Sequence, residues 1–233
     1  MADTKVKWLG HAGFQIISDA GKVILVDPWI GGNPLAACNL NDLKKADMVL
    51  VTHDHFDHSG DAAQITIKTG ATIVGMPETV GRLQSDGGVP ANQVVFGVGM
   101  NIGGTYQQDG ISVTMTQAFH SSLTASPAGY VIKLENGFTI YHAGDTGIFY
   151  SMKIIGDLYS PDLALLPIGS VFTMDPKQAA YAVKLLGVKK VIPMHYKTFP
   201  ILVQDATPFV DAVKESSPGV EVIVLQPGQE WAF

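Results

Sequence analysis

Residues Thr52-His53-Asp54-His55-Phe56-Asp57-His58 place three of the chain's seven histidines and two aspartates within six consecutive positions. Imidazole and carboxylate are the donors that intermediate divalent metals prefer. At the end of a strand, residues two apart point the same way, so His53 and His55 converge on one point while Asp54 faces elsewhere. Asp57 and His58 lie beyond the strand, where the chain turns toward Ser59-Gly60, and reach a different point. A tetrahedral ion takes about four ligands. Four donors from one short stretch, with more downstream, therefore suggest two ions.

The downstream donors share a placement. His120 follows the apolar run from Ile111, Asp145 follows the run Phe138 to Tyr141, and His195 follows Val191 to Met194. In layered α/β proteins, site residues gather at such strand ends. A metal-bound histidine needs a partner on its other ring nitrogen. Asp27, which ends the run Val23 to Val26, is the candidate for that orienting part, weighed against a plain turn cap before Pro28. His142 shares a strand face with Phe138 and Ile140. It reads first as a satisfied core histidine and second as another orienting partner. His11 sits in the turn Gly10-His11-Ala12-Gly13, where its ring could project into a cleft, touch substrate or pass a proton to a leaving group. A turn histidine bonded to backbone is nearly as good a reading. Ser121, Tyr196 and Lys197 flank ligands and are weaker candidates for substrate contact.

The elements that would position these residues alternate. Strands over the runs beginning at Val6, Val23, Met48 and Thr72, with helices over 59–69 and 77–86, make an α/β first half. A meander follows, with strands expected at Val94 to Phe96, Ile111 to Thr116, Tyr130 to Leu134 and Phe138 to Tyr141. The last two are joined by the hairpin signal Glu135-Asn136-Gly137. Alternation then returns: a helix over 148–158, a strand at Leu163 to Leu166, and a helix started by Asp175-Pro176 and stopped at Gly187. The strand into His195, a helix over 205–216 and a strand from Val220 to Leu225 complete it. The fold class is α/β, with two sheets face to face and helices outside them, in one domain over 1–233.

Composition narrows the function classes. With 46% hydrophobic and 15% charged residues the chain is globular. A net charge of −6 disfavours a broad nucleic-acid footprint. The single cysteine, Cys38, excludes an internal disulfide and a thiolate metal cluster. No window of about 18 apolar residues suggests a membrane span. Met1-Ala2-Asp3-Thr4-Lys5 enters a strand-like run with no basic leader, so a cytoplasmic protein is expected. Homo-oligomerisation is left open. The glycine-rich Gly97 to Gly104 fails as a dinucleotide loop because no helix pattern follows it. A Gly-x-Ser-x-Gly nucleophile elbow is absent.

The stretch His53 to His58 matches the His-x-His-x-Asp-His signature of the metallo-β-lactamase superfamily. Asp27, His120, Asp145 in His142-Ala143-Gly144-Asp145, and His195 resemble its other motifs in order. Trp8-Leu9-Gly10-His11 and Asp27-Pro28 look most like its subgroup of short predicted metal-dependent hydrolases, related to the ascorbate-phosphate lactonases. The resemblance implies a four-layer αβ/βα sandwich with a dinuclear site at one edge. Carried over, His53, His55 and His120 hold one ion, Asp57, His58 and His195 the other, and Asp145 bridges them. Asp57 and His11 are the residues expected to act in catalysis. Zinc is the first choice of metal, with manganese, iron or nickel as alternatives. Two ions sharing a water would lower its pKa and supply hydroxide. With two carboxylates and that hydroxide the core carries a net charge of about +1, which suits a small anionic ester such as a phosphodiester or a lactone. Competing readings are an RNA-processing nuclease and a non-catalytic metal-binding module. An iron oxygen- or nitric-oxide-reducing protein is disfavoured, since that branch has Glu where this chain has His55.

Overall fold

The structure, a computed structural model, describes residues 4–233, so the first three residues of the expected strand-like entry lie outside the described residues. Two mixed sheets pack face to face. The first contains β1 (Lys5–Gly10), β2 (Gly13–Ile17), β3 (Val23–Val26), β4 (Met48–Leu50) and β5 (Thr72–Val74). These follow one another across the sheet, and β1 is edged by the last strand, β13 (Glu230–Ala232). The second sheet runs from β6 (Thr105–Gln108) through β7 (Ile111–Gln117), β8 (Ala128–Lys133) and β9 (Thr139–His142). It continues through β10 (Leu163–Pro167) and β11 (Lys190–Met194) to β12 (Glu221–Val222). Each sheet is part antiparallel meander and part parallel: β3, β4 and β5 run parallel, as do β9, β10, β11 and β12.

The side-chain alternation of the strands explains the layering. Ile24, Val26, Met48 and Leu50 face the second sheet and join the main core with Ile132, Ile140 and Leu165. Leu25, Val49, Val51 and Ile73 face the other way and pack on helices α2 (Ala62–Thr69) and α3 (Pro77–Ser85). On the far side of the second sheet, α4 (Met152–Tyr159), α5 (Pro176–Leu186) and α6 (Thr207–Ser216) complete the sandwich. Among the described residues no helix is long and apolar enough to cross a membrane.

Local signals worked where they were specific. Asp175 accepts from the Gln178 amide at 2.8 Å, Pro176 follows it, and α5 ends at Gly187 with φ 66°. The Glu135-Asn136-Gly137 turn joins β8 to β9, with Gly137 at φ 90°. Three expectations need correction. Val94 to Phe96 is no strand: Val94 makes only an isolated bridge to Ile73, and Phe96 turns left-handed at φ 54°. The helix expected over 59–69 is two, α1 (Phe56–Ser59) and α2, broken at Gly60. The strand expected from Val220 to Leu225 shortens to Glu221–Val222.

Candidate metal centre

Every donor singled out in the sequence lies at the end of an element on one edge of the sandwich. The β1–β2 turn carries His11, β3 ends at Asp27, β4 leads into His53 and His55, and α1 carries Asp57 and His58. From the second sheet, His120 follows β7, Asp145 follows β9 and His195 follows β11. Three of these residues are left-handed without being glycine: His11 at φ 56°, Asp27 at φ 44° and His195 at φ 55°. Each such backbone costs about 1–3 kcal/mol and persists only where its surroundings over-determine it.

Those surroundings are visible. The His11 carbonyl accepts from the Trp8 indole at 2.9 Å and from the His195 amide at 3.0 Å, which ties the first turn to the end of β11. Asp27 accepts from the Thr52 amide at 2.8 Å, the Thr52 hydroxyl at 2.6 Å and His58 Nδ1 at 2.7 Å. Asp54 faces away from the other donors. It accepts from Ser122 Oγ, the Leu123 amide and Thr124 Oγ1 at 2.6–2.7 Å and pairs with Arg82, so it anchors the loop that follows His120.

The donors fall into two groups whose ligand atoms each lie within 4.8 Å of one another: His53, His55 and His120, and His11, Asp57, His58 and His195. Asp27, His53 and His58 also come together, but Asp27 is already engaged by Thr52 and His58. Asp145 stands between the two main groups. Its Oδ2 lies 3.5 Å from His120 Nε2 on one side, and 3.3 and 2.9 Å from the Nε2 atoms of His58 and His195 on the other. His58 Nε2, His195 Nδ1 and Asp145 Oδ1 are buried with no hydrogen-bond partner among the described residues. Buried polar atoms rarely stay unpaired. With His58 Nε2 and Asp145 Oδ1 among them, and imidazole and carboxylate donors converging within 4.8 Å, this is the chemistry of a cation seat, so these residues fit divalent ions.

Ionisation agrees. Burial, helped by His58, pushes His53 down to about 3, and burial with His195 nearby pushes His11 down to about 4. Both rings are neutral at pH 7, as ligands must be. Burial opposes ionisation of Asp145, yet His195 and His58 hold its carboxyl well below the usual range. For His58 burial works against the charged form, but Asp145 and Asp27 outweigh it and raise the ring well above 6.5. The shift favours the protonated ring, so a proton competes with a cation for His58 Nε2.

Several expected contacts fall elsewhere. His11 is fully buried and points at Thr198 Oγ1 (2.9 Å) and Asp57 Oδ2 (3.1 Å), so it does not project into an open cleft. Trp29 and Phe199 cover its ring. His142 spends both nitrogens on backbone, at Ala12 O (3.0 Å) and the Gly144 amide (3.1 Å), and orients no donor side chain. It does brace the Ala143-Gly144 turn that delivers Asp145. Lys197 is exposed and borders a separate depression with Gln204 and Asp205 in which none of the candidate donors stands. Ser121 is exposed, and its neighbour Ser122 makes the bond to Asp54. Sequence reasoning gave no part to Thr52 or Thr198, hydroxyls bonded to histidine nitrogens. Thr52 could have been noticed from its place beside His53, whereas Thr198 carries no such signal. A cleft of about 440 Å³ opens beside the first group, walled by Asp54, His55, Phe56, Arg82, Leu83 and Leu123 among others.

The comparisons with known proteins agree with this architecture. The family described as the β-lactamase superfamily domain matches residues 22–196. The chain is 48% identical over 226 residues to a UPF0173 metal-dependent hydrolase of Nitratidesulfovibrio vulgaris strain DP4, covering 97% of this chain and 94% of that protein. It is 50% identical over 224 residues to a UPF0173 metal-dependent hydrolase of Caldivirga maquilingensis, covering 96% and 95%. Among solved structures, Igni18, a metallo hydrolase from the archaeon Ignicoccus hospitalis, superposes with a TM-score of 0.89 at 41% identity, over 100% of this chain and 99% of that one. The metallo-β-lactamase fold protein YhfI of Bacillus subtilis, at 16% identity and a TM-score of 0.75, shares the fold over 100% of both chains. With its two sheets, flanking helices and strand-end histidines and aspartates, the chain belongs to the metallo-β-lactamase superfamily, among its metal-dependent hydrolases.

Proposed function

We propose that the chain hydrolyses a small anionic ester, a phosphodiester or a lactone, at a centre of two divalent transition-metal ions, with zinc the first candidate. The observation that carries this reading is Asp145: one buried carboxylate within 3.5 Å of histidines from both donor groups, with its second oxygen unpartnered. His53, His55 and His120 would hold one ion, Asp57, His58 and His195 the other, and Asp145 both. When bound, such a pair supplies Lewis acidity and brings the pKa of water toward neutrality.

The protein's own part is positioning. Thr52 and Asp27 fix which nitrogens of His53 and His58 face the centre. His55 and His120 are only partly buried, whereas His58 and His195 are enclosed, so substrate approaches from the first group. Phe56 and Leu123 on the walls of the adjacent cleft give an apolar substituent of the ester a dry surface. Residues 1–233 act as one unit in this reading, because both sheets contribute donors.

A screen of phosphodiesters, lactones and thioesters against the zinc-, manganese-, iron- and nickel-loaded chain tests it. Turnover of a phosphodiester or lactone is expected, with a loss of at least about 100-fold in Asp145→Asn. A chain that holds two ions and turns over none of these esters would overturn the reading.

A further inference from the structure

We propose that His11 is a ligand of the second ion, a fourth side chain beside Asp57, His58 and His195, and that Thr198 sets the tautomer that makes it one. This rests on the two-ion reading above.

His11 belongs to the second donor group by distance: one ligand atom of each of the four residues lies within 4.8 Å of the others. Ligand atoms on a single ion with bonds of about 2.0–2.2 Å stand no more than about 4.4 Å apart, so a bound ion would draw this group a few tenths of an ångström together. The ring is fully buried. It also stands 4.0 Å, centroid to centroid, from the His195 ring.

Proton placement gives the ring its role. Thr198 is buried and its hydroxyl has one proton. Tyr196 O, 3.3 Å away, can accept that proton, and the hydroxyl oxygen then receives Nδ1–H of His11 across 2.9 Å. This leaves His11 Nε2 as a bare lone pair, 3.1 Å from Asp57 Oδ2. Two lone pairs facing each other at that distance repel unless a cation lies between them. Without a cation, the reverse arrangement serves: the threonine donates to Nδ1, and Nε2–H donates to Asp57. Thr198 thus has an acceptor on either side and lets the ring change tautomer as an ion arrives. The partner on the far nitrogen is what a metal-bound histidine requires.

The same device stands in the first group. The Thr52 hydroxyl gives its proton to Asp27 Oδ2 at 2.6 Å and receives Nδ1–H of His53 at 3.0 Å. His53 Nε2 is thereby left facing His55 Nδ1 at 2.9 Å. Two threonine–histidine pairs, the adjacent Thr52–His53 and the distant Thr198–His11, thus present bare Nε2 atoms to the two donor groups. A consequence is asymmetry. The second ion has four side chains and Asp145 around it, while the first has three and Asp145, on the more exposed side. The first ion therefore keeps the position that a substrate oxygen reaches.

The test counts rings. The full chain, labelled with ¹⁵N in histidine and loaded with ¹¹³Cd, has seven histidines. The proposal expects nitrogen–cadmium coupling on six of them, with His142 alone uncoupled. Two bound ions with only five coupled rings, His11 among the uncoupled, would overturn the proposal and leave the two-ion reading intact. A chain that takes up a single cadmium ion would overturn both. Thr198→Val should bind its second zinc ion about 10–100-fold more weakly with the first unchanged, and Thr198→Ser should restore the affinity. Equal affinities in wild type and Thr198→Val would remove the threonine from the account.

Discussion

His58 concentrates the electrostatics of the centre in one ring. It is buried between Asp27, at 2.7 Å from Nδ1, and Asp145, at 3.3 Å from Nε2. Burial alone would strip its proton, but the two carboxylates raise its pKa well above 6.5, so the metal-free fold holds that proton at pH 7. His53 and His11, lowered to about 3 and 4, hold none. An ion bound at His58 Nε2 must displace the proton. Zinc loading at pH 7 should therefore release about one proton per chain from this ring, read as a buffer-dependent binding enthalpy by calorimetry. The sign follows from the raised pKa: release shrinks as pH climbs through the folded-state value, because the ring has then already lost its proton. Binding enthalpies identical in buffers of different ionisation enthalpy would contradict it.

At the scale of elements, the centre depends on strand ends that approach one another too closely for side chains. A Cβ on Gly169, which follows β10, would lie 2.1 Å from the His195 carbonyl oxygen and 3.0 Å from its Nδ1. Gly144, at φ 63°, brings the turn before Asp145 against the Ala128 carbonyl and Thr52. Gly169→Ala should displace His195, so metal analysis should fall from two ions toward one while the first group stays loaded. Two tightly held ions in that variant would show that the β11 end does not position the second site. Apolar strand runs that deliver a donor were readable from sequence: Met48 to Val51 before His53, Val191 to Met194 before His195. The edge strands β6 and β13 were not, because Thr105 to Gln108 and Glu230 to Ala232 lack apolar runs and are held by their neighbours. Val94 to Phe96 misled in the opposite sense. Its apolar character serves packing of Val94 and Val95 around a turn in which Phe96 is exposed. The burial of His11 was unreadable as well, since its cover, Trp29 and Phe199, comes from distant parts of the chain.

Across the whole molecule, two half-parallel, half-antiparallel sheets bring donors from both halves of the chain to one edge. The first sheet and α1 supply His11, His53, His55, Asp57 and His58, and the second supplies His120, Asp145 and His195. The main hydrophobic cluster runs between the sheets, so the two donor sets stay in register only while that core is intact. The chain's net charge is −6, whereas the field at the centre is set by local carboxylates and the ions they would balance. Anomalous diffraction from crystals of the zinc-loaded protein tests the central claim most directly. The account predicts two peaks about 3.5–4 Å apart, one among His53, His55 and His120, the other among Asp57, His58 and His195, with Asp145 between them. A single peak, or two peaks that Asp145 does not join, would contradict it.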